Sequence, residues 1–333
     1  MSKQYHIYGI GNALVDTEIS VSNADLAAMK VDKGVMTLVD EARQSELISY
    51  LADHLVASHK ASGGSAANTI IAASYFGCNN VYSCKVADDE LGHFYINDIK
   101  AAGVSYPAHV NLQQGVTGKC LVMITPDAER TMNTFLGISE HLSVDELDVA
   151  AIAQSHFVYI EGYLVTSPTG RAAAIVLREH AEANNTRTAL SLSDPAMVQF
   201  FRDGLLEMIG GGVDILFCNS DEAIGFTQTE NLEAAAEALK KFSKHFVITR
   251  GSQGALVFDG NEFIEIAGNK ITAVDTNGAG DMFAGAFLYA VAQGKDYKTA
   301  GDFASLAAAK VVSQFGPRLK AEQHAELKNR FFD

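Results

Sequence analysis

The chain has 333 residues, 48% of them hydrophobic and 20% charged, enough to bury a large core as one big domain or two smaller ones. A formal charge of −15, with no run of five basic residues, excludes general nucleic-acid binding and argues against an anionic membrane surface as partner. The four cysteines, Cys78, Cys84, Cys120 and Cys218, lack C-x-x-C spacing and read as small buried thiols rather than a disulfide framework or metal site.

The N-terminal residues lead directly into an expected strand at Tyr5–Ile10. No signal-peptide core and no apolar run of 18 residues is present, which sets the expectation of a cytoplasmic protein. Gly9-Ile10-Gly11-Asn12-Ala13-Leu14-Val15-Asp16 follows that strand. It fails as a dinucleotide fingerprint, because Leu14 stands where the third glycine belongs and no helix follows. Asn12 and Asp16 can clamp sugar hydroxyls; a turn-forming Asn and an exposed Asp are the plainer alternative. Leu14–Ile19 with Val35–Val39, and Val116–Thr125 with Arg130–Phe135, alternate like strands without an intervening helix. They are expected to form a small separate sheet that covers a cleft, a lid inserted from about 14–40 and 108–137 into one α/β domain spanning 1–333.

Gly63-Gly64-Ser65-Ala66-Ala67-Asn68 opens a helix expected over Ser65–Phe76, with Gly77 as its C-cap. Ser65 reads as an N-cap and the glycines as a turn. Asn68, one turn in, can hydrogen-bond a polyol. His156–Ile160 and Asp214–Cys218 read as buried strands. Asn219-Ser220-Asp221-Glu222 places an amide and a carboxylate at i, i+3, which either hold Mg²⁺ through its waters or make an ordinary capping box. A helix at Asn231–Ser243 and a strand at His245–Thr249 follow, and Thr249-Arg250-Gly251 sits at the carboxyl edge where open parallel sheets bind ligands. Gly254–Phe258 and Glu262–Ala267 flank the Asp259-Gly260 hairpin turn. Strands alternating with helices in this way indicate a largely parallel sheet.

The most informative stretch is Asp275-Thr276-Asn277-Gly278-Ala279-Gly280-Asp281, between the β-branched run Ile271–Val274 and an apolar helix from Met282 to Ala292. A strand turning through Gly-Ala-Gly into a helix aims several free N–H groups, and the positive end of the helix dipole, at one spot. Asp281 then sits beside an anion site, placed to take a proton from a hydroxyl that attacks a phosphoryl group. A favourable first-turn acid after a tight turn is the plain alternative. A last helix is expected over Tyr297–Phe315, ending at Gly316-Pro317.

Gly63-Gly64…Asn68 together with Asp275-Thr276-x-Gly278-Ala279-Gly280-Asp281 resembles the two signatures of the ribokinase-like (PfkB) carbohydrate kinases, and Asn219-x-x-Glu222 matches that family's magnesium-associated motif. The resemblance runs from about Tyr5 to Pro317. Gly11–Asp16, Leu190–Pro195, Val213–Asn219 and Asn277 are closer to the adenosine kinase branch. The resemblance implies a Rossmann-like three-layer αβα core with a β-sheet lid, ATP and Mg²⁺ as co-substrate and cofactor, and phosphoryl transfer to a primary hydroxyl, here the ribose 5′-hydroxyl of a purine nucleoside. It implies Asp281 as general base, Gly278, Ala279 and Gly280 as anion hole, and Arg130 as a lid arginine reaching the phosphates. Asp16 and Asn68 are similar to ribose ligands, assisted by Asn12, Gly63 and Gly64. Leu14, Met132, Leu136 and Tyr163 fall near positions lining the purine. Asn219, Thr249, Gly251 and Asn277 fall on the nucleotide side, and Asp275 with Asn277 can offer oxygens to a monovalent cation such as K⁺. A sugar kinase acting on free ribose or fructose is the alternative, and a non-catalytic nucleoside sensor a more distant one. A monomer and a homodimer are both compatible with the sequence.

Overall fold

The computed structural model describes residues 3–52, 59–127 and 129–332. Residues 1–2, 53–58, 128 and 333, with Ala128 falling in the expected lid segment 108–137, lie outside the described residues.

Phe157, Val158, Tyr159 and Ile160 form an unbroken apolar run that is fully buried, the pattern of a strand covered on both faces. That strand, β9 (Ser155–Glu161), lies inside a nine-stranded sheet. The others are β1 (Tyr5–Ile10), β5 (Asn80–Ser83), β6 (Val104–Ser105), β10 (Arg187–Ser191), β11 (Val213–Asn219), β12 (Ser243–Thr249), β13 (Ala255–Phe258) and β14 (Phe263–Ile266). Their order is β14-β13-β12-β11-β10-β9-β1-β5-β6, parallel except for the hairpin β13–β14 at one edge. Period-two alternation splits the core in two. Ile215 and Phe217 of β11 pack with helices Ser65–Phe76, Ala279–Ala292 and Tyr297–Val312. Leu216 and Cys218 pack with helices Pro168–Ala183, Pro195–Ile209 and Ser220–Thr227 on the other face.

The chain leaves β1 toward β5 in one direction and returns through β9 toward β12 in the other, so strand order reverses at β1 and β9. In open α/β sheets the crevice beyond the carboxyl ends at such a reversal is where ligands bind. Ile10, Glu161, Ser191, Asn219 and Thr249 mark those ends.

A second, five-stranded sheet has the order β3-β8-β7-β2-β4, with β2 (Leu14–Ser20), β3 (Met36–Leu38), β4 (His59–Gly63), β7 (Gly118–Ile124) and β8 (Arg130–Phe135). Its outer face, with Ile19, Leu121 and Met123, is sealed by Leu26 and Leu47 from helices Asn23–Ala28 and Glu41–Tyr50. Leu14, Cys120, Val122, Ile124 and Met132 cluster on its other face.

Some expectations need correction. Ile271–Val274 is not a strand: Ile271 and Val274 are 44% and 43% exposed, and the amides of Val274 and Asp275 bond Val312 O instead of a neighbouring strand. Residues 231–243 divide, because Ser243 already pairs with Val213 in the sheet and the helix stops at Leu239. Strand β4 and the two helices covering the small sheet were not anticipated.

Candidate active site

The helix Ala279–Ala292 begins after Gly278, whose φ of 73° is left-handed, and no side chain caps its first turn. A Cβ at Gly278 would meet Pro317 O at 2.3 Å, so only glycine permits this entry. Ala279 N bonds Thr276 O at 3.3 Å, which leaves the cradle to its neighbouring amides. Asp275 shapes the approach from below, accepting from Asn277 N at 2.8 Å and Gly316 N at 2.9 Å. Asp281, in the first turn, accepts from Ser65 Oγ at 2.6 Å and Asn68 Nδ2 at 3.1 Å. Two helix N-termini, 65–76 and 279–292, thus converge on one carboxylate.

Gly63 and Gly64 allow this convergence. A Cβ on Gly63 would stand 2.0 Å from the Asp16 carboxylate, and one on Gly64 2.2 Å from Asn12 O. Gly64 is the N-cap, with φ 97°, so Ser65 belongs to the helix and its hydroxyl serves Asp281 instead of capping. Glu161, at the end of β9 and 1% exposed, staples the two segments: its carboxylate accepts from Asn12 N and Nδ2, both at 3.1 Å, and from Ala66 N at 2.8 Å. Sequence reasoning missed Glu161. The signal was an acid closing an otherwise apolar strand at the ligand edge.

These groups surround one cavity of about 300 Å³. Asn12, Leu14, Asp16, Gly64, Asn68, Arg130, Met132, Leu136, Tyr163, Asn219, Glu222, Thr249, Asn277, Gly278, Ala279, Gly280 and Asp281 all line it. Met36 and Leu38 of β3 and Cys120 of β7 add to its wall. Three expected residues do not line it. Gly63 backs Asp16, Asp275 is wholly buried under the cradle, and Gly251 is exposed with open space around it.

Asn219 and Glu222 make the capping box: Glu222 N donates to Asn219 Oδ1 at 2.8 Å, while Asn219 N and Nδ2 donate to Glu222 at 3.0 and 2.7 Å. Among the described residues no group of three or more His, Cys, Asp or Glu is arranged to hold a metal ion. One buried carboxylate at the cavity wall suits a hydrated Mg²⁺ held through water, since that ion keeps several of its waters. Both oxygens of Asp275 are engaged by amides, and Asn277 Oδ1 accepts from Arg130 Nη1 at 2.6 Å.

The site is acidic, and burial is the main cause of its electrostatics. Burial, then Glu18 and Asp281, push Asp16 up to about 8 against the pull of Arg318 and Arg130. Burial raises Glu161 and Glu222 to about 7 each. Asp281 is raised by burial too, but the bonds from Ser65 and Asn68 and the nearby Arg130 favour its ionised form. A proton-accepting carboxylate, an amide cradle and an arginine around one cavity can deprotonate an alcohol beside a bound anion.

Residues 31–324 match the family model described as pfkB family carbohydrate kinase. The chain is 28% identical over 335 residues to an adenosine kinase of Saccharomyces cerevisiae, covering 94% of this chain and 96% of that protein. Among solved structures, the adenosine kinase of Sinorhizobium meliloti superposes with a TM-score of 0.90 at 33% identity, covering 97% of this chain and 99% of the other. A probable sugar kinase protein of Rhizobium etli superposes at 0.92 with 31% identity, covering 99% and 100%.

Proposed function

The chain belongs to the pfkB carbohydrate kinase family, and on that premise we propose that it moves the γ-phosphoryl group of ATP to the ribose 5′-hydroxyl of a purine nucleoside, adenosine or a close analogue. The observation that carries this reading is the pairing of Asp281 and the open helix N-terminus with an apolar wall inside one cavity. Leu14, Met36, Met132, Leu136 and Tyr163 offer a purine-sized surface that a free sugar would leave unused. Kinase family membership sets the sensor reading aside.

In this mechanism Asp281 takes the proton of the attacking hydroxyl as the oxygen bonds to phosphorus. Ser65 and Asn68 donate to the carboxylate, favouring its ionised form against the opposing effect of burial, and aim it. Asn68 is buried with Oδ1 lacking a partner, an acceptor suited to a sugar O–H. Asp16 grips the ribose, and Glu161 holds Asn12 and the start of helix 65–76 in register. The cradle from Gly278 to Gly280 and Arg130 stabilise charge on the transferring group. Asn219 and Glu222 would hold Mg²⁺ through its waters, and the bound ion would supply neutralisation of the phosphates. Asp275 and Asn277 are assigned to the scaffold of the cradle rather than to a cation. The small sheet acts as a lid whose closure keeps water from competing as acceptor.

A free sugar is the second reading, favoured by the hydroxyls of Thr134, Thr166, Ser191 and Ser193 on the same wall and by the likeness to the Rhizobium etli protein. The test is ATP consumption and product identity against a panel of nucleosides and sugars. Adenosine is expected to give AMP with the highest kcat/KM; ribose or fructose outperforming every nucleoside would sink the proposal.

A further inference from the structure

The end of β4, an edge strand of the small sheet, is held by three side chains from outside that sheet. The Arg318 guanidinium donates through Nη2 to Ser62 O and through Nη1 to Ser62 Oγ at 3.3 Å, and Nη1 also reaches Asp98 Oδ2 at 3.4 Å. Asp98 closes the ring, accepting from Ser62 N at 3.2 Å and from Ser62 Oγ. One turn earlier on the same helix, Glu90–Ala101, Tyr95 donates to Gly63 O at 2.9 Å. Ser62 is wholly buried and pairs with Val15 of β2, between Leu14 and Asp16. The grip therefore falls on the acceptor side of the cavity, just before the Gly64 that caps helix 65–76.

The two residues before Arg318 belong to the other side of the cavity. Gly316 N donates to Asp275 Oδ2 at 2.9 Å, beneath the cradle. Pro317 packs against Gly278, where an added Cβ would stand 2.3 Å from Pro317 O and 2.7 Å from its Cα. Gln314 Nε2 donates to Arg318 O at 3.2 Å, tying the segment back on itself. Three consecutive residues thus touch the floor of the cradle, the glycine that opens it, and the strand beside Asp16. Such a span reaches at most about 10 Å, and proline fixes one of its torsions, so this strap has little slack. Stability alone is a poor account of the ion pair, because the Asp98 side chain is 37% exposed and pairs open to water contribute little. We propose that Arg318 is a positioning residue: through Ser62 and Asp98 it anchors the strap 316–318 to the small sheet and so sets the separation of phosphate cradle and acceptor. The inference rests on the kinase reading above and deepens it, because that separation matters only when a group passes from one side to the other.

The test compares parent, Arg318→Ala and Arg318→Lys in adenosine phosphorylation. Calorimetry gives the separate Kd values of adenosine and a non-hydrolysable ATP analogue, and urea unfolding gives the folded fraction. Arg318→Ala is expected to lower kcat by about 10–100-fold, the scale of a small misalignment, with each Kd within about threefold of parent. Lysine keeps the charge but not the two-pronged fork, so Arg318→Lys is expected to lose about 3–10-fold in kcat with both Kd values again held. Parental kcat in a folded alanine variant overturns the inference. So does a loss confined to adenosine affinity, or a fall in kcat that the folded fraction accounts for. Should the alanine variant fail to fold, the lysine variant decides alone, and parental kcat there overturns the inference. A parent that phosphorylates no acceptor overturns the kinase reading and this inference with it; a working parent with an indifferent variant overturns the inference alone.

Discussion

Asp281 and Asp16 face the same cavity from different parts of the molecule, and their surroundings are unlike. Asp281 sits at a helix N-terminus and receives hydrogen bonds from Ser65 and Asn68. Asp16 sits on a strand of the small sheet, and no donor among the described residues bonds its side chain; burial and neighbouring acids push it up to about 8. The large-sheet side thus stabilises negative charge before substrate arrives, whereas the small-sheet side withholds such support. A carboxylate left short of donors is completed by a ligand that brings hydroxyls, so the contrast separates a base from a grip.

The harshest way to break this comparison is Asp281→Asn, which keeps shape and loses the proton acceptor. It is expected to lower kcat by roughly 10²–10⁴-fold with nucleoside Kd nearly unchanged; turnover close to parental in a rapid-quench assay would remove Asp281 from the chemistry. Asp16→Asn sharpens the other side. The folded state holds a proton on Asp16 up to about pH 8, and the unfolded chain releases it near 4, so folding stability from this group falls as pH rises across that window. The variant is therefore expected to be more stable than parent at pH 8, by roughly a few kcal/mol in urea unfolding, with the gain shrinking toward pH 4. An equal difference at both pH values would show that Asp16 is not held neutral by the fold. The smallest effect concerns the apolar wall: Met132→Ser is expected to raise KM for adenosine about tenfold, worth about 1.4 kcal/mol, while leaving turnover of any free sugar unaltered. A parallel loss on both acceptors would point to a general defect in the small sheet.

The cradle and the large sheet were legible because their signals are local. Gly278, Ala279, Gly280 and Asp281 are contiguous, and strands such as β9 and β11 are apolar runs bounded by turns. The partners that complete the site were not. Ser65 bonds Asp281 across 216 residues of chain and Glu161 bonds Asn12 across 149, so the local sequence of one partner does not name the other. Ile271–Val274 misled for the reverse reason: β-branched composition suits a strand, yet its backbone amides find Val312 O and its side chains stay partly in water. Strand β4 escaped notice because His59–Gly63 carries no alternation of apolar side chains and is defined by pairing with β2 alone.

Cys120 forms part of the cavity wall, 4% exposed, with its sulfur accepting from Thr134 Oγ1 at 3.3 Å. Burial raises its thiol well above the ordinary range, and the other three cysteines are buried as well. Oxidants and electrophiles react with the thiolate, so Cys120 and Cys218, the two cysteines lining the cleft, are chemically quiet while the fold is intact. Peroxide or thiol-modifying stress then reaches this catalyst through unfolding rather than through its chemistry.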